Sequence, residues 1–331
     1  LFDHLVVDPA ARFEPLLERC LAETDPLELA VLPEGALDDL ARRAREQLER
    51  LRAMAIALRP EHPRLEPTFL SARFGLQGRL DALYGERPGS PERHILELKS
   101  GSARDTGVWE NHRMQVMGYH LLLRSTFPGR TGTSRIWYSR SEPGDAREGR
   151  FDPGAARDLR TVRNQAVFLL LELGRGQASV LRRLDAAEDD RFPRFQLPDR
   201  RALSRAWQGA SDLERDHLLE LSAFLVREWR QEATGDRSDG DLGFAALWRA
   251  PDVAAKARAF AIVPYLTLVD FTPGTGEVTL ARHPDPAGAT RFRAGALVIL
   301  YGHHDDQVRP LAQQLLKASL VAIDAGSVRL S

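Results

Sequence analysis

Apolar residues recur at helical spacing in the first half of the chain. Leucines and alanines every three to four positions across residues 36–58 predict a long helix whose outer face is rich in arginine. Prolines soon after residue 58 end this helix. The same spacing predicts further helices over residues 11–24, 108–125, 154–173 and 211–232.

Shorter runs with the alternation of strands lie between these helices. Residues 68–74, 78–84 and 93–99 are separated by turn-rich segments, which predicts a meander, and residues 133–140 predict a further strand. Residues 174–200 are polar, and we expect them to be irregular.

The tail has a different pattern, in which short strands are split by proline and glycine turns. This pattern predicts a small β-barrel. Residues 232–243, rich in Gly, Ser, Thr and Asp, look like a linker before it. Since 331 residues exceed one small core, we expect two domains, 1–240 and 241–331. The predicted barrel strands are residues 263–270, 277–282, 291–301 and 319–330.

Composition excludes several classes of protein. The formal net charge is −1, so any contact with nucleic acid must come from a local groove rather than from overall charge. The single cysteine, Cys20, rules out an intrachain disulfide and any cysteine-rich metal site within this chain, and it favours a cytoplasmic setting. No apolar run is long enough to cross a bilayer, so we expect no membrane partner. The chain opens without methionine, and we expect it to be a piece of a longer polypeptide.

Lysine is rare in this chain. Of the 46 basic residues only three are lysines, Lys99, Lys256 and Lys317. Arginine is therefore the usual choice for a solvated positive charge, whereas a compact and titratable charge is what arginine cannot supply. Lys99 ends a strand-like run two residues after Glu97, and we interpret this pair as reactive groups of a functional site. The competing interpretation is a surface ion pair, which is worth little to stability.

Two carboxylates can meet beside this lysine. Residues i and i+2 of a strand share a face, so Glu97 and Lys99 point the same way. Asp81 lies in the preceding predicted strand and comes close to Glu97 if the two strands pair. Carboxylates side by side repel each other, and a divalent cation such as Mg²⁺ or Mn²⁺ relieves that repulsion. Such an ion polarises a phosphodiester, while a nearby lysine stabilises developing charge.

The helix after this strand adds two polar side chains. Gln115 and Tyr119 are four residues apart and therefore share one helix face. They are placed to contact a DNA backbone or to brace the metal ligands.

Together these residues resemble a known family. Asp81, Glu97-x-Lys99 and Gln115-x-x-x-Tyr119 look like the RecB-type branch of the PD-(D/E)xK nucleases. The resemblance implies an α/β fold with a mixed central sheet flanked by helices and metal-dependent phosphodiester hydrolysis. It implies that Asp81 and Glu97 are metal ligands and that Lys99 is the catalytic lysine.

The resemblance also implies further residues at the site. The main-chain carbonyl of Leu98 would be another metal ligand, and Gln115 and Tyr119 would support the site. The branch often carries a histidine ligand on an early helix, and His4 within the first apolar residues matches that motif with its start cut off.

Arg163-Asn164, the helix-like segment 212–229 and the run Phe292-Arg293-Ala294-Gly295 make the chain more similar to the nuclease part of nuclease–helicases that trim flaps and resect DNA ends. This resemblance implies that single-stranded DNA is the substrate and that a helicase core, absent from this chain, follows the barrel in the parent polypeptide. Those relatives usually hold an iron–sulfur cluster with four cysteines. Because only Cys20 is present, we expect no cluster here.

Other functions remain open on the sequence. A stand-alone RecB-type exonuclease of recombination or phage defence is one of them. A non-catalytic DNA-binding module that keeps the fold is another, and a scaffold for an appended motor is a third. The intact carboxylate pair with a rare lysine favours an active nuclease.

Overall fold

A computed structural model describes residues 1–185, 196–235, 243–249, 252–258, 262–272, 276–283, 290–303 and 309–331. The chain divides into two compact units. The first contains Leu1–Ala156 and Ile262–Ser331, and the second contains Arg157–Ala261. The boundaries of these units differ from the domain boundary that we expected near residue 240. The two expected domains stay a prediction.

The chain begins with helices. The predicted helix over residues 36–58 is confirmed as α4, and the helix expected over 11–24 is confirmed, slightly shorter, as α2. Helix α4 starts after Gly35, whose φ of 75° is the left-handed conformation that glycine adopts without strain. Asp38 and Asp39 lie in its first turn, where carboxylates favour the positive end of the helix dipole. The four helices are α1 (Phe2–Val7), α2 (Phe13–Ala22), α3 (Pro26–Ala30) and α4 (Ala36–Leu58).

Seven short strands follow within the first unit. They are β1 (Arg64–Leu65), β2 (Thr68–Ser71), β3 (Leu76–Arg79), β4 (Ala82–Tyr84), β5 (His94–Lys99), β6 (Ser134–Tyr138) and β7 (Arg147–Glu148).

The central sheet is mixed, as expected. Its order is β1-β4-β5-β6-β7, in which β5 and β6 are parallel and the other neighbours are antiparallel. Strands β2 and β3 pair only with each other in a separate hairpin among these seven strands. The single strand expected over residues 78–84 is therefore wrong. The chain leaves the hairpin after Arg79 and enters the central sheet at Ala82.

Helices cover both faces of this sheet. Helix α5 (Glu110–Thr126) packs on one face, where its Met117 and Leu122 join Ile95 and Ile136 in the core. Helices α1, α2 and α4 pack on the other face, where Leu96 and Trp137 meet their apolar side chains. Successive side chains of a strand point to opposite faces of the sheet, so the residues of β5 alternate between the face covered by α5 and the face covered by α1, α2 and α4. Ile95, Glu97 and Lys99 consequently share the α5 face.

Five further helices follow β7. The helices expected over 154–173 and 211–232 are confirmed as α6 and α8. Ser211 and Glu214 begin α8 with a capping box, in which each side chain accepts a main-chain N–H of the other residue. These helices are α6 (Pro153–Gly174), α7 (Leu197–Gly209), α8 (Asp212–Thr234), α9 (Gly243–Arg249) and α10 (Val253–Arg258).

Part of the segment expected to be irregular is helical. A 3-10 helix covers Ala178–Asp185, and α7 begins at Leu197. The sequence of α7 is mostly polar, but its Ala, Leu, Arg and Gln residues favour a helix by intrinsic propensity. Most of the expected linker, residues 236–242, lies outside the described residues.

The tail forms a five-stranded antiparallel sheet in the order β10-β11-β12-β9-β8. The closed barrel that we expected is not shown, because among the described residues β8 and β10 are the unpaired outer strands of this sheet. The strand expected over 319–330 is two strands, since Asp324 accepts the N–H groups of Gly326 and Ser327 and closes a turn. The strands are β8 (Leu266–Thr272), β9 (Glu277–Arg282), β10 (Leu297–Leu300), β11 (Leu316–Ile323) and β12 (Ser327–Leu330).

In the part of the chain that the structure describes, no helix has the length and apolar character needed to cross a membrane.

Candidate active site

Strand pairing brings Asp81 and Glu97 together. Strand β4 pairs with β5 so that Ala82 lies opposite Leu96, which places Asp81, one residue earlier, opposite Glu97. The Asp81 carboxylate accepts the main-chain N–H of Leu98, with 2.6 Å between Oδ2 and N. Asp81 is therefore held at the edge of β5 by a hydrogen bond to the strand that carries the other two residues of the motif.

Glu97 is a buried carboxylate with one unpaired oxygen. Its side chain is 1% exposed. Its Oε1 accepts the Lys99 ammonium at 2.5 Å, whereas its buried Oε2 has no hydrogen-bond partner. Burial, and then the charge of Asp81, raise the pKa of Glu97 to about 7, against the lowering effect of Lys99. The site therefore has more negative charge than its own lysine neutralises.

Lys99 lies at the boundary between this buried pair and solvent. It is the last residue of β5, and its side chain is 20% exposed. Because the ammonium meets Glu97 on the inside, a charged substrate can approach it from the exposed side. This placement differs from the surface ion pair that the sequence left open, since the carboxylate partner is buried.

Gln115 and Tyr119 lie above the carboxylates on α5. The Tyr119 hydroxyl donates to the main-chain oxygen of Arg79 at 2.9 Å and accepts from Gln115 Nε2 at 2.7 Å. Burial and then the charge of Glu97 raise the pKa of Tyr119, so the phenol stays protonated. Gly78 makes this contact possible, because a Cβ there would lie 2.7 Å from a Leu122 methyl and 3.3 Å from the Tyr119 ring.

The first helix carries the expected His4 and, next to it, an acidic residue that we did not expect, Asp3. The His4 imidazole Nε2 lies 3.2 Å from Glu23, and its role as a metal ligand stays a prediction. The neighbouring Asp3 is the residue that feels the charge of Asp81. Burial, then the charges of Glu66 and of Asp81, raise the pKa of Asp3 to about 6. Sequence analysis missed Asp3, although its position beside the suspected histidine was a signal.

The donor set suits a divalent cation. Two carboxylates meet at one strand edge, and Glu97 Oε2 is a buried oxygen without a partner, which is costly unless a cation or a proton satisfies it. Asp81, Glu97 and the Leu98 carbonyl would hold the ion. Among the described residues, no group of three or more His, Cys, Asp and Glu side chains is arranged to hold a metal, so main-chain oxygen and water would complete the coordination.

Tyr138 and His112, which sequence analysis did not assign to the site, also lie near Lys99, and Trp109 contacts Tyr138 through its main chain. Tyr138 of β6 is its partner in the parallel register. The Tyr138 hydroxyl lies 2.9 Å from His112 Nδ1 and accepts the main-chain N–H of Trp109 at 3.4 Å. Burial and then the positive charge of Lys99 lower the pKa of His112, so its imidazole is neutral near pH 7. No pattern in the sequence singles out these residues.

Comparison with known proteins identifies a family whose model matches this chain. A family model described as "PD-(D/E)XK nuclease superfamily" matches residues 5–196, more than half of the chain. No curated protein matches this chain. A solved structure titled "Crystal structure of SSO0001" is similar at 15% identity, covers 47% of this chain and 84% of its own, and has a TM-score of 0.25. A likeness that low carries no argument.

Proposed function

The chain belongs to the PD-(D/E)XK nuclease superfamily, and we propose that it is a divalent-metal-dependent nuclease that hydrolyses phosphodiester bonds of single-stranded DNA. Membership implies metal-dependent nuclease chemistry. The substrate strand, the residue roles and the pathway are the finer parts of the proposal.

The observation that carries the proposal is the arrangement around Glu97. Asp81 and Glu97 face each other across two strands, Lys99 contacts the same carboxylate, and Glu97 Oε2 is buried without a partner. A protein that needed this cluster only for stability would gain more from an apolar pair, because buried like charges are destabilising. The arrangement is instead suited to a cation and a phosphate.

Each residue then has a distinct task. Asp81, fixed by the Leu98 N–H, and Glu97 would hold Mg²⁺ or Mn²⁺ together with the Leu98 carbonyl and, from the first helix, His4. A divalent ion bound there supplies the Lewis acidity that polarises a phosphodiester and activates water. Lys99 would contact the scissile phosphate and stabilise the charge that develops on it.

Gln115 and Tyr119 would act on the other side of the carboxylates. Tyr119 ties α5 to the main chain at Arg79, two residues before Asp81. Gln115 is exposed and donates to Tyr119, so its amide would be available to contact a DNA backbone. We propose that this pair keeps Asp81 and Glu97 at the separation that the metal needs.

The biological setting rests on sequence resemblance. We propose a RecB-type nuclease of DNA repair, recombination or end processing, located in the cytoplasm and joined to a helicase core in a longer parent. The tail sheet would then be part of a small barrel that precedes this core. Cys20 is the only cysteine, which supports a nuclease without an iron–sulfur cluster.

Cleavage assays test the function directly. End-labelled single-stranded and duplex DNA of the same sequence are incubated with wild type and with Asp81→Ala in Mg²⁺, in Mn²⁺ and in EDTA. We expect metal-dependent cleavage of the single strand that Asp81→Ala abolishes.

The other outcomes discriminate among the alternatives. Wild type that binds DNA but never cleaves it would support a non-catalytic binding module. Equal cleavage by Asp81→Ala would overturn the site assignment. Efficient degradation from DNA ends without any helicase would favour a stand-alone exonuclease.

A further inference from the structure

Trp109 is an exposed aromatic side chain that is nevertheless held in place. Its side chain is 46% exposed. The indole N–H donates to the main-chain oxygen of Ser102 at 3.3 Å, and the main-chain N–H donates to the Tyr138 hydroxyl at 3.4 Å. These contacts fix both ends of the residue before α5 begins at Glu110. An exposed tryptophan with a fixed ring loses little entropy when it binds a flat partner.

The position of Trp109 relative to the candidate site is set by the sheet. Tyr138, which holds the Trp109 main chain, pairs with Lys99 across two parallel strands. His112, one helical turn into α5, contacts the same Tyr138 hydroxyl at 2.9 Å. Trp109 is therefore one residue away, through Tyr138, from the lysine proposed to contact the scissile phosphate.

Arg104 adds a positive charge to this surface. Its guanidinium carbon lies 5.2 Å from the centre of the Trp109 ring, and the side chain is exposed. The guanidinium lies over one face of the ring, so a base would stack on the opposite face while the cation contacts the backbone, a combination that binds single-stranded nucleic acid. The alternative is a tryptophan that only anchors the start of α5, for which exposure of the ring would have no benefit.

We propose that Trp109 is the stacking platform for a base of the substrate strand next to the scissile phosphate, with Arg104 contacting the adjoining backbone. This inference rests on the proposed nuclease function and names the substrate feature that the site recognises. It makes single-stranded DNA the preferred substrate, because the bases of a duplex are already stacked on each other and present no free face.

Binding measurements test the stacking role. The protein carries Asp81→Asn to prevent cleavage, and its affinity is measured by fluorescence anisotropy with a labelled oligothymidine, an abasic strand of equal length and a duplex. We expect Trp109→Ala to weaken oligothymidine binding by about 5-fold to 100-fold. We expect it to leave abasic and duplex binding unchanged, while Trp109→Phe retains most of the affinity.

A matched control uses another exposed tryptophan. Trp229, in α8, is 61% exposed, and Trp229→Ala should bind every probe as the parent does. Thermal unfolding of each variant checks that the fold persists. If Trp109→Ala unfolds, Trp109→Leu keeps the test decisive, because it keeps an apolar side chain without an aromatic face and should lose oligothymidine affinity as Trp109→Ala would.

The outcomes separate the inference from the function on which it rests. Unchanged oligothymidine binding in Trp109→Ala, or an equal loss for the oligothymidine and abasic strands, would overturn the stacking platform. If wild type cleaves DNA in Mg²⁺ or Mn²⁺ while either of these results is obtained, only the inference fails. If wild type neither cleaves nor binds DNA, the proposed function fails and the platform fails with it.

Discussion

The two ends of strand β5 bury charged groups of opposite kind. At its carboxyl end, Asp81 and Glu97 are like charges, and one carboxylate oxygen has no partner. At its amino end, Arg93 pairs with Glu86 at 3.1 Å and its guanidinium lies 4.2 Å from the centre of the Phe127 ring. The first end holds two carboxylates beside one lysine. The second end also holds like charges, because burial and then the charges of Arg93 and Arg124 lower the pKa of Arg130, but its guanidiniums contact a carboxylate, a main-chain oxygen and an aromatic ring.

Next to the amino end, His120 belongs to a similar structural network. Its Nε2 lies 3.0 Å from both the Gly149 carbonyl and the Ser134 hydroxyl, and its Nδ1 lies 3.4 Å from Arg130. Burial lowers the pKa of His120 to about 4, so the imidazole is neutral. Arg130 keeps one buried unpaired nitrogen, Nη2, but its Nε donates to the Arg93 carbonyl at 2.9 Å.

The contrast teaches which buried polar groups point to function. Groups whose hydrogen bonds end within the fold connect helix, strand and loop, and they contribute stability. A buried carboxylate pair that shares one lysine and keeps one oxygen without a hydrogen-bond partner costs stability and therefore indicates a missing ligand.

The largest expected effect is the loss of DNA cleavage when a carboxylate at the carboxyl end of β5 is removed. Asp81→Ala or Glu97→Ala removes one of the two carboxylates and should abolish metal-dependent cleavage, with circular dichroism spectra unchanged. The matched control is Asp158→Ala, an exposed aspartate on α6, which should cleave like wild type. A carboxylate variant that cuts at the wild-type rate would refute the metal assignment.

The second effect is on stability, and its direction follows from the raised pKa of Glu97. Since this pKa is about 7 rather than 4.5, the folded protein keeps a proton that the unfolded chain has released between these two values. The stabilisation is complete below pH 4.5 and is lost as the pH rises to about 7, a change of about 3 kcal/mol.

Glu97→Gln removes this titration. In EDTA the variant should therefore be more stable than wild type at pH 8 and should lose that advantage near pH 4.5, as measured by urea unfolding at each pH. Glu34→Gln, at an exposed position, should follow the wild-type profile. Parallel profiles for Glu97→Gln and wild type would contradict the burial of an unpaired carboxyl group. Added Mg²⁺ should stabilise wild type more than the variant.

The third effect concerns Lys99. Lys99→Ala should lower the cleavage rate by about 10²-fold, the scale for losing one electrostatic stabiliser. Lys99→Arg should not restore the full rate, because a planar guanidinium cannot replace a compact ammonium in this contact. Lys317→Ala, at an exposed lysine of β11, is the matched control. Full activity of Lys99→Arg would show that only the charge matters.

The smallest expected effect is a loss of stability when His120, next to the amino end of β5, is replaced. His120→Ala leaves the Ser134 hydroxyl and the Gly149 carbonyl without their partner, and it should destabilise the protein by about 1–3 kcal/mol. Cleavage below the unfolding temperature should stay normal, and exposed His217→Ala should change neither property. A cleavage defect in folded His120→Ala would show that the two ends of β5 are coupled.

Sequence analysis predicted the residues at the carboxyl end of β5 better than those at its amino end. Glu97 and Lys99 stand out because lysine is rare here and because residues two apart share a strand face. Asp81 could be predicted to approach Glu97 only by assuming that their strands pair. No sequence feature indicated that Arg93, His120 and Arg130 would meet, because their contacts join segments that only the packing of α5 against β6 brings together.

The sequence alone predicted the long helices α2, α4, α5, α6 and α8, strands β5 and β6, and the candidate residues Asp81, Glu97 and Lys99. It did so through local periodicity and through the choice of lysine over arginine at one position. Tertiary structure decided that residues 78–84 divide between two sheets and that the tail strands form an open sheet among the described residues. It also decided that Glu97 Oε2 is buried unpaired, that the charge of Asp81 acts on Asp3, and that Trp109 is fixed beside Tyr138. Strand register, burial and electrostatic coupling depend on contacts between distant segments, and local sequence patterns do not specify those contacts.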